Sequence, residues 1–232
     1  MMTPLTLCLA CMIGQAEPAA GRESLAQVEE AQRIRSALEA IDNSTESQEM
    51  VRHMTVVRKA FPGCRPILHE AVERGSPKLL CFAIQVLGEL GEASKDLKVV
   101  SKQLEHKTTK VRLAAIMAVR QLGTEGYDAL VKTLEKETDS NNRKMIVKTF
   151  QVWEHEAAVP VLVELLSSEK ERDVRNFIVK ALESITRRKL GDNLAAWQSH
   201  LESKALSEQA KSIAKPRPEL PVPPLTTEEK KQ

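Results

Sequence analysis

Val111-Arg112-Leu113-Ala114-Ala115-Ile116-Met117-Ala118-Val119-Arg120-Gln121-Leu122-Gly123 is the stretch on which the fold turns. Its apolar residues recur three and four positions apart, which lines one face of a helix, and Gly123 ends the pattern. The pattern then repeats along the chain. Ala115, Ile116, Ala118, Val119 and Leu122 fall on Ile146, Val147, Thr149, Phe150 and Trp153 after 31 residues, and on Ile178, Val179, Ala181, Leu182 and Ile185 after 63. Moved back by 32 they meet Ala83, Ile84, Val86, Leu87 and Leu90, with Gly91 under Gly123. Between these copies runs a second ladder, Leu68, Val100, Leu130 and Leu162, at intervals of 32, 30 and 32. Val72, Leu104, Leu134 and Leu166 follow at the same intervals. Two registers sharing one period describe a unit of two antiparallel helices, each about 12 residues long. Neither helix can bury its stripe without the next pair stacked on it, so the expected architecture is an α-solenoid.

Strand-like alternation of useful length is missing, and the chain reads as all-α. Gly75-Ser76-Pro77 separates one helix from the next, with Pro in the first turn of the new one. Gly88 and Gly91 are read as ending that helix, and Gly123 and Gly126 as bracketing the following turn. Ser24-x-x-Gln27 makes a capping box for an opening helix over 24–42, with Ile34, Leu38 and Ile41 on one face. The expected pairs lie at about 24–60, 65–91, 94–123, 125–153 and 156–187, with a closing helix at about 192–203.

Across its 232 residues the chain is 42% hydrophobic and 28% charged, enough to bury a core, but only 3% aromatic. That scarcity argues against base- or sugar-stacking surfaces and follows from a repeat built on Leu, Val, Ile and Ala. Lys and Arg number 34 against 32 Asp and Glu, a formal charge of +2, far below the excess of a protein held on phosphates, so no nucleic-acid partner is expected, while room is left for a local charged patch.

The ends read differently from the middle. Residues 5–13, Leu-Thr-Leu-Cys-Leu-Ala-Cys-Met-Ile, form an apolar run followed by Gly14-Gln15-Ala16 and the first acidic residue, Glu17. This is the pattern of a signal peptide cleaved after Ala16, although no Lys or Arg precedes the run, and it is too short to span a bilayer. The expectation is a chain exported to a bacterial periplasm or beyond, with no integral membrane segment after processing. Lipid attachment at Cys11 is the alternative, and there Cys8 stands where such motifs carry Leu. At the other end Pro216, Pro218, Pro221, Pro223 and Pro224 precede Glu-Glu-Lys-Lys-Gln, the composition of an extended tail.

The Val-Arg-x-Ala-Ala-x-x-Ala-Val-x-x-Leu-Gly pattern resembles HEAT repeats, in particular the short kind grouped with phycobilisome-lyase-like repeats. Asp173-Val174-Arg175 and Ala157-Ala158-Val159-Pro160-Val161-Leu162-Val163-Glu164-Leu165-Leu166 are similar to the second and first helices of such a unit. Gly191-Asp192-Asn193-Leu194-Ala195-Ala196-Trp197 resembles the segment that closes many bacterial exported HEAT-repeat proteins, where an Asp and a Trp cap the last repeat. The resemblance implies a right-handed α-solenoid of about five antiparallel helix pairs with a C-terminal capping helix. The chain then divides into a signal peptide at 1–16, a linker and opening helix at 17–43 and the HEAT-like solenoid at 44–190. A capping helix at 191–203 and a Pro-rich disordered tail at 204–232 complete it.

Few residues point to chemistry. One HEAT-fold branch, deoxyhypusine hydroxylase, holds two irons with four His-Glu pairs. Only His69-Glu70 and His155-Glu156 occur here, and one repeat after His69-Glu70 stands Ser101-Lys102, so no metal site and no cofactor are expected. Arg112, Arg143 and Arg175 hold one place in three consecutive repeats, with Leu80 breaking the series. They read either as a basic ladder on the concave face for an acidic partner, or as arginines bonded to the turn or to an acidic residue of a neighbouring unit. Arg187-Arg188-Lys189 complements a helix dipole, Trp153 reads as core and Trp197 as a cover over the last repeat. Cys64 and Cys81 stand too far out of register to pair, and are expected to be free and unreactive. No Ser/His/Asp constellation or phosphate-binding loop is present, and no small-molecule substrate is identified. The expected function is a non-enzymatic scaffold that binds another protein through its second helices. The alternatives are a bilin-lyase-like or iron-binding HEAT-fold enzyme, or a structural subunit of a larger assembly.

Overall fold

A computed structural model of the chain describes residues 25–213. The expected signal peptide, Cys11, the Ser24 capping box and the prolines beyond residue 213 lie outside the described residues. Among the described residues there are eleven α-helices and no strand. They are α1 (Leu25–Asn43), α2 (Ser47–Lys59), α3 (Arg65–Arg74), α4 (Pro77–Leu90), α5 (Ala93–Ser101), α6 (Thr109–Leu122), α7 (Tyr127–Lys136), α8 (Ser140–Trp153), α9 (Ala158–Ser168), α10 (Arg172–Thr186) and α11 (Leu194–Ile213). Short 3-10 turns occupy Lys102–Glu105 and Thr124–Gly126. The chain forms two compact units that divide between Thr133 and Leu134, within α7.

In the first unit α1 packs on α2, α3 on α4 and α5 on α6, and the second helices α4 and α6 pack on each other. Ser76 begins α4 by accepting a hydrogen bond from Leu79 N–H (3.2 Å), and Pro77 fills the first helical position, where no N–H is needed. Gly88 does not end this helix, as its sequence position suggested; it lies inside α4, because a Cβ there would sit 2.6 Å from Ala118 Cα. The glycine is thus a close-approach residue that lets α4 meet α6. Gly91 is the C-cap of α4, and Gly123, at φ +121°, turns the chain out of α6. Gly126 is needed for space, since a Cβ would overlap Val119 Cγ1. Leu80, Ala83, Ile84, Val86 and Leu87 of α4 and Val111, Ala115, Ile116, Ala118 and Val119 of α6 are buried.

In the second unit α8 packs on α10, and α9 packs on both α10 and α11. Asp139 caps α8, its carboxylate accepting from the N–H groups of Asn141 and Asn142, each at 3.0 Å. Ile146, Val147 and Phe150 of α8, Leu162 and Leu166 of α9 and Ile178, Ala181 and Leu182 of α10 are buried. Helix α11 continues to Ile213, so residues 204–213 are helical rather than the start of a tail. Their run of Lys, Ala, Leu, Ser, Glu and Gln contains no Gly or Pro to stop a helix.

The last column of the repeat register differs from its expectation. Leu90 is 42% exposed and Leu122 and Trp153 are half-buried, whereas Ile185 is buried. All four stand in the final turn of their helices, and of these turns only the one on α10 is covered. Trp153 tilts against Phe150 with ring centroids 6.4 Å apart.

Candidate functional site

The three repeated arginines stand near the start of α6, α8 and α10, and each turns back onto the carbonyls left open at the end of the preceding helix. Arg112 donates to His106 O at 3.0 Å and Lys107 O at 3.3 Å. Arg143 donates to Thr138 O at 2.8 Å and also binds Glu169 Oε2 through Nε (2.9 Å) and Glu171 Oε1 (3.2 Å). Arg175 donates to Leu166 O (2.7 Å) and Glu169 O (3.0 Å), and grips Asp192 through Nε and Nη2 at 3.2 and 2.5 Å. Helix C-termini leave carbonyls unsatisfied, and a guanidinium carries five donors in a fixed fork that can serve a turn and a carboxylate together. Glu169 joins Arg143 to Arg175, one through its carboxylate and the other through its carbonyl. Burial alone would raise the Glu169 carboxyl, but the N–H groups of Glu171 and Lys170 and the Arg143 guanidinium outweigh it and hold the group below the usual carboxylate range. Where Leu80 interrupts the series, Lys78 instead reaches Asp42 O (3.2 Å) and Ser44 O (2.7 Å).

The end of the second unit is tied in the same way. Trp197 is fully buried and its indole N–H donates to Gly191 O at 2.9 Å, one residue from the Asp192 held by Arg175.

The first unit contains a polar cluster that the sequence reading did not pick out. Asp96 of α5 is fully buried, and its carboxylate accepts from Glu92 N–H (2.8 Å) and from His69 Nε2 on α3 (2.7 Å). Arg65 Nε lies 3.2 Å from the same Oδ1 but off hydrogen-bond alignment, so this contact is electrostatic, while another Arg65 nitrogen binds Glu92 at 2.9 Å. The Arg65 guanidinium also lies over the Phe61 ring, 5.0 Å from its centroid. The signal was available: in the ladder that aligns Leu68 with Val100, Asp96 falls under Cys64, on a buried column held elsewhere by Gly126 and Ala158.

The exposed side of α8 and α10 has another character. Lys148 and Lys180, one repeat apart, are exposed, and Lys144 stands one turn before Lys148. Among these lysines are exposed Phe177 (36%) and Val152 (52%), together with half-exposed Met145. The sequence reading passed over these residues because each, taken singly, is an ordinary surface residue.

The remaining candidates stay apart from chemistry. His69 is engaged with Asp96, and Glu70 with Arg35 at 3.2 Å. His155 and Glu156 lie in the turn before α9, and Glu156 pairs with Lys204 at 2.7 Å. Among the described residues no three His, Cys, Asp or Glu side chains converge on a metal-sized site. Cys64 is buried and Cys81 half-buried, and burial pushes both thiols up, away from the reactive thiolate. Arg187, at φ +58° after α10, pairs with Glu154 at 2.6 Å.

Residues 127–203 match the family model for HEAT repeats. No curated protein matches the chain. The match, in a chain whose described residues are mostly helical and include no strand, supports HEAT repeats in that stretch, and such repeats are generally non-catalytic and commonly mediate protein interactions.

Proposed function

We propose that this protein is a non-enzymatic, protein-binding scaffold, built as a right-handed solenoid of short HEAT-like helix pairs and exported from the cytoplasm. The observation that carries the binding role is the contrast on the second helices of the repeats. Their inward residues are buried, and their arginines are engaged at the turns. The outward sides of α8 and α10 nevertheless keep a large aromatic, an exposed Val and unpaired lysines that contribute nothing to the core. The arginine series is accordingly assigned to holding the turns rather than to a partner. Export rests on the apolar run at residues 5–13 and the small residues before Glu17.

Chemical cross-linking of the full chain in its native host, with the cross-linked peptides mapped by mass spectrometry, tests the scaffold role. The expected result is repeated links from second-helix residues to the same protein; links scattered over all faces with no recurring protein would overturn it. The N-terminal sequence of the native protein tests export separately: a start at Glu17 supports it and an intact Met1 ends it. Stoichiometric iron or a bound bilin in the purified protein would favour the enzyme alternative instead.

A further inference from the structure

We propose that the α8–α10 face of the second unit is a docking site for an acidic protein segment that carries an apolar anchor; this rests on the scaffold reading above and specifies the partner. Helices α8 and α10 pack side by side, and the repeat register sets Met145 beside Phe177 and Lys148 beside Lys180. Lys144 and Val152 lie one turn to either side of Lys148 on α8. The result is a strip in which three ammonium groups border three apolar side chains. None of the three lysines takes part in an ion pair or hydrogen bond among the described residues.

That arrangement does not help the fold. Like charges one helical turn apart repel, and here Lys144 and Lys148 are set that way, with Lys180 across from Lys148. Elsewhere in this unit Arg143, Arg175, Arg187 and Lys204 have carboxylate partners, while Arg172 and Lys189, like the three lysines of the strip, have none among the described residues. The nearest acidic side chains on α10 are Asp173, one turn before Phe177, and Glu183, whose carboxylate accepts from Gly191 N–H at 3.2 Å. Glu183 stands one turn after Lys180, so three lysines face two carboxylates and the strip keeps a small local positive excess.

Charge complementarity selects an acidic occupant, and the apolar centre selects a protein. Met145 and Phe177 lie beside the cations and Val152 one turn beyond Lys148, so the occupant must present apolar side chains there and carboxylates next to them, as a short segment with Asp or Glu around a Leu or Phe does. A nucleic-acid backbone offers charge at regular spacing but no aliphatic anchor, and the strip has a single aromatic ring on which to stack a base.

Selection of a random-peptide display library on the immobilised full-length protein tests the proposal, with dT20 as a competing oligonucleotide. The expected outcome is a set of peptides rich in Asp and Glu flanking Leu, Phe or Trp. Their affinity should fall about tenfold or more in Lys148→Glu/Lys180→Glu, and also as salt is raised from about 50 to 500 mM. Phe177→Ala should weaken them by a similar factor without altering the salt dependence. The two lysines are exposed and Phe177 is 36% exposed; Lys148→Gln/Lys180→Gln provides a neutral control, and its thermal melt and that of Phe177→Ala should match the parent's. Selected peptides that bind the charge-reversed variant equally well would overturn the docking site while leaving the scaffold reading intact. Failure to select any peptide on any face would count against both. Binding of dT20 as tight as that of the peptides, and lost in the same variants, would replace the protein partner with a nucleic acid.

Discussion

Both units hold their turns with cations, Lys78 and Arg112 in the first and Arg143 and Arg175 in the second, but they differ in where carboxylates join one repeat to the next. In the first, the charge that joins α3 to α5 lies inside the packed column, where buried Asp96 holds His69 and Arg65. In the second, the ties run along the turns, where Arg143 and Arg175 bind helix-end carbonyls and the carboxylates of Glu169, Glu171 and Asp192. A repeat register fixes which positions meet but not which chemistry joins them. A tie to an enclosed carboxylate is costly to break because it leaves a desolvated charge behind, and this holds for Asp96 and also for Glu169, 6% exposed beside Arg143; the ties to Glu171 and Asp192, both more than half exposed, can be replaced in part by water.

Substitutions can probe this contrast from the largest effect downward. Trp197→Ala removes a fully buried indole and its bond to Gly191 O from the end of the second unit, and should cost about 3–5 kcal/mol in urea unfolding. Asp96→Ala should cost the first unit about 3 kcal/mol, because Arg65, His69 and Glu92 N–H lose a shared partner in the core. A loss below about 1 kcal/mol would show that the buried cluster is not what holds α3 to α5.

At the turns, Arg143→Ala should cost about 2 kcal/mol, since it takes the cation from the enclosed Glu169 carboxylate, which keeps the N–H groups of Lys170 and Glu171. The same pair gives a pH signature. The Glu169 carboxyl is depressed in the folded state, so its contribution is fully present above the unfolded value of about 4.5 and is lost as pH falls through the lower folded value. Stability should decline below about pH 4.5, and less steeply in Arg143→Ala. An unchanged slope would remove Arg143 from the cause. The smallest effect belongs to Lys148→Gln, which should leave unfolding within about 0.5 kcal/mol of the parent by the same assay.

How far the sequence could be read differed from one residue type to another. The helices and most of their buried columns follow from spacing: Ala83, Ala115, Ile146 and Ile178 share one register and all four are buried. Gly88 was misread because a glycine that ends a helix and one that lets two helices touch look alike until the neighbour, Ala118, is known. The arginine series was legible as a repeat, yet its two readings could not be separated, because a long side chain can turn outward to solvent or back to a turn from the same backbone position. Asp96 was legible in principle from its column, while His69 and Arg65 as its partners were not. The lysine and aromatic strip was missed because it is distributed over two helices a repeat apart.

The sequence by itself determined the helical class, the period of about 32 residues and most of the side chains that face inward, because burial follows the 3.6-residue turn and the repeat copies it, except in the last turn of the helices. Only the tertiary structure decided how the polar groups are spent: Asp96 enclosed, Arg143 and Arg175 drawn onto turns, and Lys148 and Lys180 left facing water with Lys144 half-buried beside them. Apolar contact is set by position alone, whereas a hydrogen bond or ion pair depends on distances and angles to a few tenths of an ångström, and those exist only once the helices have packed.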